Sequence, residues 1–337
     1  MGGLARKATI VQELSNANED LLVLDAGDLF FKKNILDPGI TTEVARINAE
    51  VIVSSFNKIG CDAFSPGSKD FASGKNYLMD LKRKSRFPFI SCNIFDKKNN
   101  QLFNPYLIKN INGIKIGIIG LVSQFTAADV IVKEPIETLS KIIDEVDSKT
   151  DIIVLLFNSN EQDLQKLYNR NFPIDFILRS QGRTRSSDGG SKIPTYIAGD
   201  RGKLLYKFQF EVADKELPMI DMAWCIETSK RMEDRLNKMK KGDMSVDLYD
   251  LYKNDQATLN RIKNYEMNLE EANYLFENAI NKINFTKIEL GKTVFDRPDI
   301  LKIVDEAKLK IKDIVGPGGL PDHQGRLPGD PHYNHGH

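Results

Sequence analysis

The sequence predicts an α/β protein with mixed sheets over its first two-thirds, followed by a long antiparallel hairpin of helices. Apolar runs of strand length alternate with segments of helical period up to about residue 212, and runs such as "IIVLL" are continuously apolar. Such strands are typical of sheets buried on both faces by helices. From Met222 onward, apolar residues instead recur every three or four positions, which indicates helices.

The strands are predicted from apolar runs bounded by turn residues, and the helices from the periodic segments between those runs. We place strands at 21–27, 87–95, 114–123, 151–158, 174–181, 194–200 and 203–212, and helices near 4–16, 41–59, 75–85, 135–148 and 161–169. Asn112-Gly113 separates two strand-like segments and is a dipeptide typical of hairpin turns. Parallel and antiparallel strands are therefore both expected.

The chain divides by composition into four parts. The α/β domain is predicted over 1–212 and the helical hairpin over 213–284. A strand and a last helix, which Pro298 can open, are expected to pack back on the body over 285–315. The tail, 316–337, is rich in Gly and Pro and is not expected to pack alone.

The overall composition excludes several classes of partner. The 337 residues, 41% of them hydrophobic, can form one large or two ordinary domains. Because 47 basic residues balance 47 acidic ones, no global field draws the chain to nucleic acid. There is no apolar run of membrane-spanning length, and "MGGLARKATIV" lacks the features of a signal peptide. We expect neither nucleic-acid binding nor membrane insertion.

The histidines are confined to the C-terminal tail. Residues 1–322 contain no imidazole, since the four histidines are His323, His332, His335 and His337. Most hydrolytic metal and nucleophile sites use at least one histidine as ligand or base. The folded body cannot supply one.

Two aspartates close the first predicted strand, "LLVLDAGDLF". Carboxylates at the carboxyl end of a strand would face a ligand crevice in an α/β fold. Asp25 and Asp28 could equally cap the turn that follows. The pattern alone favours the second reading.

Several such segments occur in a recognisable order: "GGLARKATIVQEL", "LLVLDAGDLFF", "FNKIGCDAFSPGSKDFASG", "FPFISCNIF", "GIIGLVS", "DIIVLLFNSNEQDLQKL", "IDFILRSQGRT" and "YIAGDRGKLLYKFQFEV". Over about 2–212 this succession resembles the catalytic domain of the calcineurin-like metallophosphoesterases, on their bacterial 5'-nucleotidase branch. The hairpin with "DRPDILKIVDEAK" is similar to the version of that domain found in some multihaem cytochrome proteins. The resemblance implies an α/β/β/α sandwich with two metal sites built from loops at strand ends.

The resemblance also shows where the metal-binding loops depart from the family pattern. The family's Gly-Asp-x-x-Phe is kept at 27–30, which gives Asp28 the place of the metal-bridging carboxylate. The family's Gly-Asn-His-Asp/Glu reads Gly67-Ser68-Lys69-Asp70. Ser68 thus replaces a ligand amide, and Lys69 replaces the histidine that would protonate the leaving alkoxide.

Two further loops lose their imidazoles. The family's Ser-His becomes Phe157-Asn158, and its Gly-His-x-His becomes 180–183, with Gln181 and Arg183 at the ligand positions. An Asp-x-His loop is expected before the "GGLAR" helix, and Met1 leaves no room for it.

A carboxylate left in this place without a metal would be a poorly compensated charge. We therefore expect Asp28 to pair with Lys69 or Arg183, and we predict a degenerate site that holds no metal or other cofactor and does not hydrolyse phosphate esters. The predicted residues of this vestigial site are Asp25, Asp28, Ser68, Lys69, Asp70, Asn158, Gln181 and Arg183.

Three functions stay open, all of them drawing on the resemblance. The chain could be a pseudo-enzyme that binds a protein partner or copies of itself through the hairpin or an open sheet position. A cationic pocket of Lys69, Arg183 and Arg185, with Arg179 as a further candidate, could bind phosphate or another small anion, or be a solvated loop. An active metal-dependent phosphoric-ester hydrolase would need ligands from another segment.

The histidine-containing tail offers one source of such ligands. "PDHQGRL" echoes an Asp-x-His-Gly-Arg-Leu loop, but Asp322 and His323 are adjacent, so the match is out of register. A flexible or partner-bound tail is expected instead. Relatives in this branch are usually exported, so the resemblance implies an extracytoplasmic (periplasmic or secreted) location.

Overall fold

The computed structural model describes residues 3–17, 20–180, 193–197, 202–316 and 319. These residues divide into two compact units. The larger unit takes in the described residues up to 180, then 196–205 and those from 289 onward, and the smaller takes in 193–195 and 206–288. No helix among the described residues is both long and apolar enough to cross a membrane.

The elements alternate as predicted through the first two-thirds of the chain. In chain order they are α1 (Gly3–Ala17), β1 (Leu24–Asp25), α2 (Ile40–Ile59), β2 (Ala63–Phe64), a 3₁₀ helix (Ser68–Phe71), α3 (Lys75–Lys84), β3 (Ile94–Asp96), β4 (Tyr106–Ile111), β5 (Ile114–Val122), β6 (Val130–Val132), α4 (Pro135–Leu139), α5 (Ile143–Asp147), β7 (Ile152–Asn158), α6 (Glu161–Tyr168), β8 (Phe176–Arg179), β9 (Thr195–Ile197), β10 (Leu204–Glu211), β11 (Met219–Asp221), α7 (Met222–Met239), α8 (Leu248–Leu251), α9 (Gln256–Asn278), β12 (Asn281–Glu289) and α10 (Pro298–Val315).

The main sheet of the larger unit has the strand order β4-β5-β7-β8-β9. The hairpin β4–β5 is antiparallel and turns at Asn112 and Gly113, whose φ angles of 51° and 81° suit a primed hairpin turn. β5, β7 and β8 are parallel. The predicted α/β fold with mixed sheets is confirmed.

A smaller sheet brings the two candidate loops together. β1 pairs in parallel with β2, and Phe64 of β2 also bridges to Phe89. Aromatic rings pack beside these strands, with Phe64 at 5.2 Å from Phe30 and 4.7 Å from Phe89 between centroids. Such edge-to-face pairs add about 0.5–1.5 kcal/mol each beyond their buried area. This packing holds the ends of β1 and β2 in place, and the two candidate loops begin there.

Helix α10 packs back on the larger unit, where Val304 and Ala307 contact Val51 of α2. In the smaller unit the strand order is β10-β12-β11. Helices α7 and α9 run antiparallel, because Ser229 bonds to Asn273 at 2.7 Å while Arg235, further along α7, lies over the ring of Tyr265, further back along α9. The predicted antiparallel helical hairpin is confirmed.

Two predicted elements are broken up in the structure. The strand predicted over 87–95 is reduced to β3 and isolated bridges at Phe89, Ile90 and Phe95, since Pro88 has no N–H to donate to a ladder. The helix predicted over 135–148 is two short helices, α4 and α5. Along the chain, the division between the compact units falls after residues 205 and 288, and the boundaries placed at 212 and 284 stay predictions.

Gly120 of β5 provides a test of the packing between the sheets. A Cβ at this position would lie 2.2 Å from the carbonyl oxygen of Ile90 and 2.9 Å from Oγ of Ser65. Because backbone cannot yield cheaply, we expect Gly120→Ala to lower the free energy of unfolding by about 2–4 kcal/mol. Gly291→Ala, whose Cβ would meet only Thr293 at 3.9 Å, is the control and should change it by less than about 0.5 kcal/mol. Equal urea midpoints for the two variants would contradict this packing.

Candidate functional site

The first loop of the site follows β1 and turns sharply. Gly27 and Asp28 have φ angles of 106° and 57°, in the left-handed region. A Cβ on Gly27 would lie 2.5 Å from the carbonyl oxygen of Ser65 and 2.7 Å from the amide nitrogen of Gly67. This loop therefore lies directly against the loop that follows β2.

The second loop holds the sequence Gly67-Ser68-Lys69-Asp70. A Cβ on Gly67 would come within 2.4 Å of both Oδ1 of Asp28 and Nδ2 of Asn158. Only glycine fits here, and its lack of a side chain lets Asp28, from the end of β1, approach Asn158, from the end of β7. The structure thus brings together residues from three of the predicted loops.

Asp70 ties the two loops to each other. Its carboxylate is fully buried and accepts the backbone N–H groups of Asp28 at 2.8 Å, Phe30 at 2.9 Å and Gly67 at 2.8 Å. Burial, followed by the nearby charge of Asp28, raises the pKa of Asp70 to about 8. Asp70 therefore holds the two loops together through buried hydrogen bonds, an arrangement that we call the clamp. Its carboxyl group is not accessible as a ligand.

Asp28 is paired with Lys69, one of the two partners predicted for it. Its Oδ1 accepts the backbone N–H of Lys69 at 2.9 Å, and its Oδ2 lies 3.3 Å from Nζ of Lys69. The Asp28 side chain is 5% exposed and that of Lys69 is 29% exposed. A nearly buried carboxylate therefore has an ammonium group as its counter-ion.

Asp25 lies at the end of β1 and contributes a further carboxylate. Burial raises the pKa of Asp25, while the positive charge of Lys7 and the N–H of Gly27, which donates to Oδ1 at 3.0 Å, act in the opposite direction. Ser68, by contrast, donates its hydroxyl to Oδ1 of Asn34 at 3.4 Å.

Asn158 and Arg179 fill the carboxyl ends of β7 and β8. Asn158 is buried, and its Nδ2 donates to Oγ of Ser180 at 2.5 Å. Arg179 is 2% exposed and donates to Oγ and the carbonyl of Ser159, at 2.8 and 3.0 Å, and to Glu161 at 2.8 Å. The suggestion that Arg179 belongs to an open anion pocket is wrong, because these contacts enclose its guanidinium.

Sequence reasoning missed the role of Arg179 and the clamp formed by Asp70. The role of Arg179 could have been predicted, because a buried arginine needs hydrogen-bond acceptors. Ser159 and Glu161, which follow β7 in the sequence, can provide them. Gln181, Arg183, Arg185 and the four histidines of the tail lie outside the described residues. Their predicted roles stay predictions.

The described residues do not fit a divalent metal. Among them, no three His, Cys, Asp or Glu side chains are arranged to hold a metal ion. Oδ2 of Asp28 faces the ammonium of Lys69, which has no lone pair to offer a cation. An anion pocket at this site would depend on Arg183 and Arg185, which lie outside the described residues.

The raised pKa of Asp70 predicts a pH dependence of stability. The folded state holds this proton up to about pH 8, whereas the unfolded chain releases it near the ordinary value of 3.8. Ionisation of Asp70 therefore costs stability as pH rises between those values, by up to about 1.4 kcal/mol per pH unit. We expect Asp70→Asn to flatten the fall in urea-unfolding free energy from pH 6 to pH 8, and Asp144→Asn, at an exposed position of α5, to leave it unchanged. The same slope in all three proteins would rule out this pKa.

No family model matches this chain. A 5'-nucleotidase from Vibrio parahaemolyticus is 32% identical over 130 residues, 37% of this chain and 22% of that protein. Across three such 5'-nucleotidases, from two Vibrio species and Bos taurus, the match spans 22% to 42% of the relative's length. The chain thus matches less than half of these proteins.

Two solved structures share the fold. The sulfate thiohydrolase SoxB of Thermus thermophilus superposes with a TM-score of 0.63 at 14% identity, over 92% of this chain and 47% of that chain. The calcineurin-like phosphoesterase YfkN of Bacillus subtilis gives a TM-score of 0.59 at 17% identity, over 92% of this chain and 90% of that chain. The sequence matches and these structural likenesses support the predicted resemblance to the calcineurin-like metallophosphoesterases, on their 5'-nucleotidase-like branch.

Proposed function

We propose that this chain is a non-catalytic member of its superfamily, a pseudo-enzyme that serves as a binding, scaffold or assembly module. The observation that carries the proposal is the contact of 3.3 Å between Nζ of Lys69 and the nearly buried carboxylate of Asp28. In the family pattern this carboxylate bridges metals. Here the ammonium of Lys69 compensates the charge of this carboxylate instead.

An ammonium cannot replace a metal in hydrolysis. It is a strongly hydrated point charge with no vacant coordination position, so it cannot bind a phosphoryl oxygen as a Lewis acid or acidify water as a metal does. A divalent ion bound at Asp28 would also meet the charge of Lys69 at close range, at a cost that a low dielectric increases. The imidazole positions of two loops hold Lys69 and Asn158 instead.

The names of the relatives support a second candidate, a metal-dependent phosphoric-ester hydrolase. Curated proteins named 5'-nucleotidase match this chain over parts of their length. In that case, residues outside the described part would have to provide the metal ligands. A direct assay separates the two candidates.

The remaining elements of the proposal concern partners and location. We propose that the chain binds a protein partner or copies of itself, and that it is extracytoplasmic, both on the strength of the family resemblance. Binding of a small anion in the vestigial site is a narrower proposal, since it depends on Arg183 and Arg185.

The assay uses p-nitrophenyl phosphate and AMP with added Mn²⁺ or Zn²⁺. We expect no turnover above that of Asp28→Asn, because the site has no Lewis acid in place, and less than one tightly held divalent ion per chain by metal analysis. Turnover that Asp28→Asn abolishes, with two metals per chain, would establish the hydrolase instead.

The ion pair itself can be tested by a double-mutant cycle. Lys69→Met removes the ammonium from beside the carboxylate of Asp28 and should cost about 1–3 kcal/mol of unfolding free energy, less than a fully buried pair because Lys69 is partly exposed. Adding Asp28→Asn should recover most of that loss. The control is Lys33→Met, at an exposed pair with Asp37, which should cost less than about 0.5 kcal/mol. Strict additivity of the two site mutations would show that the pair contributes nothing.

A further inference from the structure

The turn between β4 and β5 carries a chemically labile dipeptide. Asn112-Gly113 is the one Asn-Gly pair in the sequence. Both residues are exposed, and both have φ angles in the left-handed region, at 51° and 81°. Asparagine amides are among the labile side chains of proteins. Because glycine has no Cβ, the backbone nitrogen that follows the asparagine is unobstructed.

The reaction open to this dipeptide needs only its own atoms and water. The backbone nitrogen of Gly113 attacks Cγ of Asn112, the new N–C bond closes a cyclic succinimide, and the side-chain amide leaves as ammonia. The proton of the attacking N–H leaves with that ammonia. Water then opens the ring at either carbonyl and gives aspartate or isoaspartate. The overall change is the exchange of ammonia for water.

Hydrogen bonds of the folded turn oppose the attack. The N–H of Gly113 donates to Oδ1 of Asn110 at 3.0 Å, and Nδ2 of Asn112 donates to Oδ2 of Asp20. The first bond holds the attacking nitrogen, and the second holds the amide that is attacked. Both groups have to leave these partners before the nitrogen can reach Cγ. Local opening of the turn therefore precedes the reaction.

The amide of Asn112 also joins two parts of the larger unit. Its acceptor, Asp20, precedes β1, whereas Asn112 lies at the tip of the β4–β5 hairpin. A second contact runs in the same direction, because Lys109 of β4 binds Asp62 at 3.0 Å and Asp62 accepts the N–H of Val23 at 2.9 Å. The hairpin is thus tied to the segment that leads into β1 and the candidate site.

Deamidation removes the donor from the contact with Asp20. A carboxylate at position 112 can only accept hydrogen bonds, and it places a second negative charge beside the carboxylate of Asp20. The isoaspartate product also routes the backbone through the former side chain. The extra methylene does not suit a two-residue primed turn, whose length fixes the register of the hairpin.

We propose that Asn112 is a site of spontaneous deamidation, and that its conversion to aspartate or isoaspartate releases the β4–β5 turn from Asp20. Ring opening does not restore the amide, so the modified form accumulates as the protein ages. The inference depends on the turn and its contacts, and it is independent of the proposed loss of hydrolysis.

Peptide mapping of the aged full chain tests the site. The folded protein is held in mildly alkaline buffer, digested in acid to suppress further ring closure, and analysed by mass spectrometry. We expect deamidation of Asn112 to be about tenfold or more faster than that of Asn99. Asn99 is a matched control, since it is exposed, has a φ of 64° and is followed by Asn100 instead of glycine.

The products identify the route. Aspartate and isoaspartate should both appear at position 112, because the succinimide opens at either carbonyl. Equal rates at Asn112 and Asn99, or aspartate as the sole product, would overturn the proposal.

The role of the turn is tested by removing the acceptor of the Gly113 N–H. We expect Asn110→Ala to speed deamidation of Asn112 by about threefold or more, since the attacking nitrogen is no longer held. Asn76→Ala, at an exposed position of α3, is the control and should leave the rate unchanged. An unchanged rate in Asn110→Ala, or the same increase in both variants, would contradict the protection by the turn.

Asn112→Asp reproduces one product and tests the release. By hydrogen exchange of the full chain, we expect the N–H of Val23 to exchange about threefold or more faster in this variant, because the neighbouring contact with Asp20 is lost. Asn99→Asp adds the same charge at another exposed turn and should have no effect on Val23. Equal exchange in Asn112→Asp and the unmodified protein would show that the turn is not released.

Discussion

The structure of the site depends on a reciprocal exchange between two aspartates on two loops. The carboxylate of Asp70 accepts the backbone N–H of Asp28, while the carboxylate of Asp28 accepts the backbone N–H of Lys69. Each loop thus donates a backbone N–H to a buried carboxyl group of the other. The exchange fixes Lys69 so that its own ammonium meets the remaining oxygen of Asp28. One short segment therefore fixes the site. Gly67 lets the two loops approach closely, Lys69 provides a counter-ion to Asp28, and Asp70 provides the hydrogen bonds of the clamp.

Charge compensation links this geometry to function. Buried carboxylates are tolerated only with a compensating cation or strong hydrogen bonds. In a metallophosphoesterase loop a metal would fill that need and also perform the chemistry. In this chain Lys69 compensates the charge of Asp28. The enclosed guanidinium of Arg179 lies at the carboxyl end of β8. The proposed pseudo-enzyme keeps the packing of the fold without its Lewis acid.

Elements with a strong local signal were predictable from sequence. The apolar run of β7, the period of α2 and the Asn112-Gly113 turn each identify their element without tertiary information. Within the site, the pairing of Asp28 with Lys69 followed from charge and from the family pattern. The clamp formed by Asp70 and the enclosure of Arg179 depend on loops that meet only after folding, and no spacing along the chain reports those distances. The division of 135–148 into two helices likewise has no clear breaker in the sequence.

The central claim is that an ammonium group occupies the cation position at Asp28. Crystals grown or soaked with Mn²⁺, measured at a wavelength with manganese anomalous signal, test it directly. We expect no anomalous peak at bonding distance, roughly 2.2 Å, from the carboxylate of Asp28, with Nζ of Lys69 in place near 3.3 Å. A manganese ion bound to Asp28, with Lys69 displaced into solvent, would contradict the account.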